Sequence, residues 1–518
     1  MEPRARPPDP RAGHDPDPLR GRRARHAARG QRALGRPDRR RAGAVPRGRA
    51  RHLRPRRGGR LLAPAQPGRG RAARGARPRR RPAGPRPGSQ GRPRRRHRRH
   101  GRQAGLHAGD RPRWHPGPPR RRHPRRPRPP GAPRRRPRHP RRPGGAAVSE
   151  EDETVSRKGD HVDIILEDDV QAKHNAWNDL TLVHEALPEV DREAVDPSAE
   201  LLNHELELPL MVASMTGGYP GGEEINDRLA KAAAEHGLGM GVGSQRAMLD
   251  DPDQARTYEV IADHDVPFVA ANIGAPQLIP QDGEAPIDIE DAVHLMEAID
   301  ADALIVHLNY LQEVVQPEGD DEAAGVVSAL AELVREVPGP VIGKETGAGM
   351  HRGTARRLTE AGCSAVDVGG LSGTTFAAVE RIRAEAAGAD DEAWLGERFR
   401  DWGVPTPVAV LEAARTELEV VATGGLRDGV HVANALALGA EVAGMASAVL
   451  EPAAESEEAL HAFLDRLAAE IETAMFLTGA ETVDELRHKP IVADGETRTW
   501  LESLGYDVAA LGGQRLDA

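Results

Sequence analysis

Residues 301–313 read ADALIVHLNYLQE, and this stretch predicts the fold. Its four consecutive apolar residues, ALIV, are typical of a strand that is buried on both faces. Polar side chains begin where that strand should end, at His307 and Asn309, and continue with Gln312 and Glu313. In a parallel α/β barrel, the C-terminal ends of the strands carry the ligand-binding groups. We interpret the stretch as a strand that presents an imidazole, two amides and a carboxylate to a ligand, although a strand followed by an ordinary polar loop has the same pattern.

Apolar runs and amphipathic helical stretches alternate along residues 208–480. The candidate strands are Leu208–Met215, Gly237–Gly243, Val266–Ile273, Ala303–Asn309, Pro340–Glu345, Ser364–Gly370, Leu418–Gly425 and Glu441–Leu450. The helical patterns include Glu224–Glu235, Glu322–Val337, Gly353–Ala361, Asp428–Leu438 and Glu457–Leu477. Eight βα units in about 240 residues predict an α/β fold, the (β/α)8 TIM barrel, but one sequence does not give strand order and a doubly wound sheet stays possible. Residues 371–407 form a longer excursion after the sixth strand, where a lid or active-site loop would fit.

The composition changes at about residue 147. Residues 1–147 contain 49 arginines, 6 acidic residues and no lysine, which gives a formal charge of +43. We expect this segment, which is rich in Arg, Pro, Gly and Ala, to be disordered because it cannot bury enough apolar surface. It could be a basic arm that binds nucleic acid or a membrane surface. We favour a translation start assigned too far upstream, because all four residue types have G+C-rich codons.

Residues 148–518 carry the opposite charge, with 24 basic and 73 acidic residues and a net charge of −49. Such a surface repels itself at low salt, so we predict a halophilic protein that works in a high-salt cytoplasm. The single cysteine, Cys363, fits a reducing compartment. We expect neither a signal peptide nor a membrane span. The predicted domains are an N-terminal extension at 148–207, the barrel at 208–480 and a C-terminal tail at 481–518.

Small and polar residues follow each candidate strand, and those after the last two strands indicate a bound phosphate. Loops at these positions of a barrel often bind phosphate. Gly424 and Gly425 would let backbone N–H groups approach an oxyanion, and Arg427 could pair with it. Lys344, at the end of the fifth strand, could stabilise an anionic flavin ring or form a salt bridge with a barrel carboxylate. From these positions we infer a flavin mononucleotide (FMN) cofactor.

A second anion site is predicted from Arg157, Lys158, Arg246 and His307. Three strong cations and an imidazole would concentrate positive potential on an acidic domain, and a diphosphate is the ligand that suits them. Glu313 would then supply a hard oxygen ligand for Mg²⁺ that bridges the diphosphate. The ordinary alternative for Glu313 is a solvated surface carboxylate.

The order and spacing of these motifs resemble the type 2 isopentenyl-diphosphate isomerase family over about residues 156–490. The matching motifs are Arg157-Lys158…His161, Met215-Thr216-Gly217-Gly218, Ser244-Gln245-Arg246, His307-Leu308-Asn309…Gln312-Glu313, Lys344-Glu345, Gly373-Thr374 and Gly424-Gly425-Leu426-Arg427. One departure follows the sixth strand. The family often has Gly-Gly-Thr-Ser-Trp there, and this chain has Ser-Gly-Thr-Thr-Phe at 372–376.

The resemblance implies an FMN barrel that interconverts isopentenyl and dimethylallyl diphosphate with Mg²⁺ and reduced flavin, without net redox change and with NAD(P)H as reductant. It implies catalytic roles for Gln312 and His307 beside the flavin, and a metal-binding role for Glu313. The implied substrate-binding residues are Arg157, Lys158, Ser244, Gln245, Arg246, His307, Asn309 and Gln312. The implied FMN-binding residues are Ser214, Met215, Thr216, Ser244, Asn272, Lys344, Thr374, Gly425, Leu426, Arg427, Ala446 and Ser447.

The resemblance also implies a homo-oligomer, a tetramer or octamer. We expect a cytoplasmic protein whose partner is a small diphosphate and neither nucleic acid nor a membrane. One alternative is another FMN barrel, either a 2-hydroxy-acid oxidase or an inosinate-dehydrogenase-like enzyme. The latter would need a nucleophilic cysteine after the sixth strand, whereas Cys363 precedes it. The other alternative is a non-enzymatic acidic barrel with a nucleic-acid-binding arm.

Overall fold

Eight parallel strands close into a barrel in which each strand pairs with the next along the chain and the last pairs with the first. The computed structural model describes residues 150–281 and 284–512, so segment 1–147 lies outside the described residues. The barrel strands are β1 (Leu210–Val212), β2 (Gly239–Gly241), β3 (Phe268–Gly274), β4 (Ala303–Leu308), β5 (Val341–Glu345), β6 (Ala365–Asp367), β7 (Glu419–Thr423) and β8 (Val442–Met445). The predicted TIM barrel is confirmed, and the doubly wound alternative is wrong.

Most barrel strands are shorter than the apolar runs that predict them, since the hydrogen-bonded strand pairing ends before the apolar run does. The last candidate strand was expected to reach Leu450, but β8 ends at Met445 and a helix begins at Ser447. In contrast, β3 and β4 keep nearly the predicted bounds. The polar residues that follow the apolar runs therefore lie at the last ladder positions, such as His307 and Lys344, or just beyond them, at the mouth of the barrel.

Helices surround the barrel, and their apolar stripes face the strands. Helix Val326–Glu336, for example, buries Val326, Leu330 and Leu333, which repeat at the spacing of one helical face. The α-helices are Glu150–Glu167, Gly222–His236, Arg246–Asp250, Arg256–Glu259, Ile289–Ala298, Tyr310–Val315, Val326–Glu336, Arg352–Ala361, Phe376–Ala387, Asp390–Phe399, Thr406–Ala413, Gly429–Ala437, Ser447–Glu455, Glu457–Thr478, Val483–Leu486, Gly495–Ser503 and Val508–Gly512. None of the helices in these two ranges is long and apolar enough to cross a membrane.

The excursion after β6 is mostly helical and not an open loop. Helices Phe376–Ala387 and Asp390–Phe399 pack against each other, and only residues 371–375 form a loop at the mouth. Their alanines and buried side chains, such as Val379, supply the packing that makes helices preferable to a flexible lid.

Two short antiparallel sheets lie outside the barrel. The hairpin Ala199–Leu201 and His204–Leu206 places Leu201 and Leu206 against inward-facing barrel residues. In the second sheet, Leu180–Leu182 from the N-terminal extension pairs with Ile491–Ala493 from the C-terminal segment. The segment predicted as a tail thus contributes helices and a strand, and the strand pairs with the N-terminal extension.

Candidate active site

One cavity opens at the C-terminal ends of the barrel strands and contains all but two of the predicted site residues. These lining residues come from the ends of strands and from helix Glu150–Glu167, which lies over the mouth. They are Arg157, Lys158, Ser214, Met215, Ser244, Arg246, Asn272, His307, Asn309, Gln312, Glu313, Lys344, Thr374, Gly425, Leu426, Arg427, Ala446 and Ser447. The fold therefore brings the predicted phosphate loops and the predicted diphosphate site into one space.

Thr216 and Gln245 do not belong to the described lining of this cavity. Gln245 is fully buried, donates to the carbonyl of Leu295 (2.9 Å) and accepts from the backbone N–H of Asn272 (3.0 Å). The hydroxyl of Thr216 donates to the buried side chain of Asn226. Both side chains are used in holding the loops after β1 and β2, so their polar atoms do not face a ligand.

The loop after β7 forms, with the start of the helix after β8, a backbone surface that we call the anion cradle: residues 424–427, Ala446 and Ser447. Gly424 and Gly425 have φ angles of 107° and 82°, which favour glycine. A Cβ at Gly424 would lie 2.2 Å from the carbonyl oxygen of Gly370, and one at Gly425 would lie 2.3 Å from that of Ser372. Both positions thus require glycine, because of their backbone conformation and because of their close packing.

Arg427 supplies the cation of the cradle. Its Nη1 donates to Ser447 Oγ (3.3 Å), and its Nη2 donates to Gln171 Oε1. Burial lowers the pKa of the guanidinium from its ordinary value, as expected for a cation that lacks an anionic partner. No acidic side chain is recorded in an ion pair with Arg427 within the described ranges. A phosphate would supply the missing negative charge.

Lys158 is another cation of the cavity and is partly buried. Its Nζ donates to the carbonyl of Ser244 and to the hydroxyl of Tyr258, both at 2.6 Å. Burial, reinforced by Arg157, lowers the pKa of the ammonium to about 7. An anionic ligand would raise this pKa again by stabilising the charged form. Tyr258 is itself fully buried and donates to the same carbonyl of Ser244, so it fixes where Lys158 points.

Arg157 and Arg246 already have acidic neighbours. Arg246 pairs with Asp320 (3.0 Å) and Glu284, and Arg157 lies 3.9 Å from Glu318. The positive potential predicted for this cluster is therefore partly compensated in the protein. A diphosphate would compete with these partly exposed carboxylates, and such exchange is inexpensive because exposed pairs contribute little.

His307 is held in one tautomer by a short network. Asn272 Nδ2 donates to the carbonyl of Val242 (2.9 Å), so its Oδ1 is left to accept from His307 Nδ1 at 2.8 Å. Burial, together with Lys344 and Lys158, lowers the pKa of His307 to about 4. The imidazole is thus neutral near pH 7, with its proton on Nδ1 and Nε2 available as an acceptor.

Glu313 and Asn309 form a buried oxygen-rich corner. Asn309 Nδ2 donates to Glu313 Oε1 (2.5 Å), and the backbone N–H of Asp320 donates to Oε2 (3.0 Å). Asn309 Oδ1 is buried without a hydrogen-bond partner in the described structure. Burial raises the pKa of Glu313, which a cation would reverse. The donor set fits Mg²⁺, which takes oxygen ligands and commonly binds through one or two carboxylates together with substrate phosphates.

No group of three or more His, Cys, Asp or Glu side chains that could hold a metal ion is found among the described residues.

Gln312 is oriented by a residue that the sequence did not reveal. Its Nε2 donates to Glu380 Oε1 (2.9 Å), which also bonds His161 Nε2 (2.8 Å). Arg383 pairs with the other oxygen of Glu380 at 2.6 Å. In the sequence, Glu380 is one acidic residue of a helix in a very acidic domain, so only the fold distinguishes it. His161 belongs to the first matching motif, which was the one available signal.

Lys344 makes the barrel salt bridge that the sequence left open. Its Nζ lies 2.7 Å from Asp367 Oδ2, and Thr423 donates to the other oxygen of Asp367. Lys344 still lines the cavity, so the pair fixes its position at the mouth. The neighbouring Glu345 accepts the backbone N–H groups of residues 347–349, which shapes the adjacent loop.

Comparisons with known proteins show which proteins this chain resembles. A family model described as FMN-dependent dehydrogenase matches residues 320–493. Isopentenyl-diphosphate delta-isomerase of Methanoregula boonei is 45% identical over 353 residues, which are 67% of this chain and 96% of that protein. The enzyme of the same name from Halobacterium salinarum is 44% identical over 353 residues, 68% of this chain and 96% of that one. That from Thermococcus onnurineus is 45% identical over 364 residues, 69% and 96% of the two chains.

Solved structures give a more distant likeness. A mandelate oxidase mutant with a monooxide FMN adduct is 19% identical with a TM-score of 0.42, covering 62% of this chain and 90% of that chain. A putative lactate oxidase of Pediococcus acidilactici is 14% identical with a TM-score of 0.47, covering 66% and 94%.

Proposed function

The chain belongs to the isopentenyl-diphosphate delta-isomerase family, and on that premise we propose that it interconverts isopentenyl and dimethylallyl diphosphate using reduced FMN and Mg²⁺, without net redox change. The similarity extends over 96% of these relatives, which favours the isomerase over a 2-hydroxy-acid oxidase. The match to the FMN-dependent dehydrogenase model supports the flavin. NAD(P)H as reductant and a tetrameric or octameric state remain predictions from the family resemblance.

The observation that carries this proposal is a single cavity with two separate sets of anion-binding groups. The anion cradle offers backbone N–H groups and Arg427 to one phosphate. Lys158 and Arg246 line the same cavity as a second set of cations, and the carboxylate of Glu313 lines it too. The first set suits the phosphate of a flavin mononucleotide. Two cations beside a carboxylate that could hold Mg²⁺ suit a diphosphate, whereas the single carboxylate of a 2-hydroxy acid needs no such metal-binding group.

Isomerisation requires a proton to be added to one carbon of an unactivated alkene and removed from another. When bound and reduced, FMN would supply the acid–base chemistry, since the described residues that line the cavity include no strong acid near neutral pH. The side-chain amide of Gln312 does not ionise near neutral pH, and its hydrogen bond to Glu380 keeps it in one orientation. His307 is neutral near pH 7, so it binds or orients a ligand atom and does not act as a strong acid.

The remaining side chains hold the substrate and keep water out. Lys158 regains its full charge on binding a diphosphate, and Glu313 with the diphosphate oxygens would hold Mg²⁺. Val162, Ile165 and Phe376 line the cavity and give the hydrocarbon part an apolar surface. Fixing the diphosphate would hold the short hydrocarbon chain against this apolar surface.

The test is conversion of isopentenyl diphosphate by the purified chain with FMN and Mg²⁺, followed by proton NMR. We expect product only after the flavin is reduced, with no reductant consumed per turnover. An active oxidised enzyme, or one mole of NAD(P)H used per product, would contradict the proposed chemistry. Oxidation of 2-hydroxy acids without isomerisation would establish the alternative.

A further inference from the structure

A short segment of the N-terminal extension crosses the loops at the barrel mouth. We call residues 170–177 the strap. The backbone N–H of Ala172 donates to the carbonyl of Gly373 (2.6 Å), and that of Thr375 donates to the carbonyl of Val170 (2.9 Å). The strap therefore runs beside the loop after β6 and reaches the anion cradle at its far end.

Two strap side chains bind the carbonyl groups of the cradle glycines. Trp177 Nε1 donates to the carbonyl of Gly424 (2.8 Å), and Asn175 Nδ2 donates to that of Gly425 (2.7 Å). Thr406 Oγ1 gives Gly424 a second donor at 2.9 Å. Trp177 is completely buried, so its indole N–H depends on this acceptor.

The orientation of these carbonyls decides where the cradle N–H groups point. In a trans peptide, C=O and N–H lie in one plane and point in opposite directions. The carbonyls of Gly424 and Gly425 point at Trp177 and Asn175, neither of which lines the cavity. The N–H groups of Gly425 and Leu426 must then point away from the strap, and both residues line the cavity.

These two N–H groups have no recorded acceptor within the described part of the chain. Buried backbone donors are rarely left unpaired in native proteins, so an acceptor is expected from outside the chain. We propose that Asn175 and Trp177 are positioning residues that fix the two peptide planes so that these N–H groups bind the phosphate of FMN. The proposal rests on the proposed function, because FMN is the ligand that brings a phosphate to this loop.

Other contacts show that the strap is built to hold a position. Gln171 accepts from Arg427 Nη2 and donates to Thr374 Oγ1 (3.2 Å), so it orients the cation of the cradle as well. Directly after the strap, Asp179 accepts the N–H of Thr497 (2.9 Å). The C-terminal segment thereby anchors the strap, which links FMN binding to parts of the chain outside the barrel.

A merely structural role for these bonds makes a different prediction from a phosphate-positioning role. A loosened barrel mouth would weaken the binding of every flavin alike, because the ring, the ribityl chain and the phosphate share one cavity. A misoriented peptide plane would weaken the binding only of flavins that carry the phosphate. Riboflavin, which has the same ring and lacks the phosphate, therefore separates the two roles.

The experiment compares the dissociation constants of FMN and riboflavin for the full chain, measured by flavin fluorescence. Trp177→Phe removes the indole N–H and keeps an aromatic ring. Asn175→Ser removes the amide N–H but keeps an oxygen that can accept from Trp177 N, as Asn175 Oδ1 does at 3.1 Å. The matched control is Trp394→Phe, which alters a tryptophan that is 65% exposed.

We expect each strap variant to raise the FMN dissociation constant by about three- to tenfold, the effect of one lost hydrogen bond. Riboflavin binding should change by less than about twofold, and Trp394→Phe should change neither constant. Equal losses for both flavins, or unchanged FMN binding in both variants, would overturn the inference. A wild-type chain that binds no FMN would instead refute the proposed function. If Trp177→Phe does not fold, the half-exposed position of Asn175 still provides the test.

Discussion

Replacing Glu380 by glutamine should destabilise the protein in a way that depends on pH. The carboxylate is fully buried and is shared by His161, Gln312 and Arg383. Burial alone would raise its pKa, but the charges and hydrogen bonds of His161 and Arg383 outweigh burial and lower the pKa from 4.5 to about 2. Glutamine keeps the size of the side chain and removes this charge.

The magnitude follows from the pKa difference between the folded and unfolded states. A carboxylate with a lower pKa in the folded state stabilises the fold at pH values above its unfolded pKa, and the effect is lost as the pH falls towards the folded pKa. A difference of about 2.5 pKa units corresponds to about 3 kcal/mol at pH 7. Between pH 7 and pH 3 the difference between wild type and Glu380→Gln should shrink by about 2 kcal/mol.

The assay is urea unfolding of both proteins, followed by tryptophan fluorescence at several pH values. The control is Glu385→Gln on the same helix, where an exposed carboxylate pairs with Arg381 and the expected change is below about 0.5 kcal/mol at every pH. A loss for Glu380→Gln that stays constant from pH 7 to pH 3 would refute the charge-based reasoning. A loss no larger than that of the control would refute the central role assigned to this carboxylate.

Three further outcomes are expected. Glu313→Gln should abolish Mg²⁺-dependent turnover and leave the bound-flavin absorption spectrum unchanged, so full turnover in the variant would exclude this metal ligand. The KM for isopentenyl diphosphate should rise by about tenfold per pH unit above pH 7, because free Lys158 loses its proton there. Lys158→Gln should flatten that pH profile, and an unchanged slope would show that another group titrates. The melting temperature should rise with KCl towards molar concentrations, because the −49 charge of residues 148–518 is then screened, and full stability in low salt would contradict a halophilic protein.

The strand ends were predictable because two kinds of information coincide there. An apolar run such as ALIV must be buried, and the polar residue that follows it marks the end of the ladder. In a parallel barrel all such ends meet at one mouth. His307, Lys344 and Arg427 could therefore be placed in one cavity before any contact was known, and the structure lines the cavity with all three.

Residues whose role comes from a partner distant in sequence were not predictable. In the sequence, Asp367 is only one residue of a candidate strand, and the barrel places its carboxylate 2.7 Å from Lys344 Nζ. Gln245 lies within a matching motif, yet packing turns its side chain away from the cavity and towards Leu295. Tyr258 lies 100 residues from Lys158 in the chain, and no local sequence pattern predicts their hydrogen bond.

The sequence by itself determined the barrel, the family and most of the cavity wall, because hydrophobic periodicity and strand-end chemistry are local properties. Only the tertiary structure decided which charges are compensated and which backbone groups face a ligand. Burial lowers the pKa of Lys158 to about 7, whereas His161 and Arg383 lower that of the buried Glu380 to about 2, and both effects depend on the elements packed around the side chain. The strap over the cradle glycines is likewise a long-range contact, since some 250 residues separate Asn175 from Gly425.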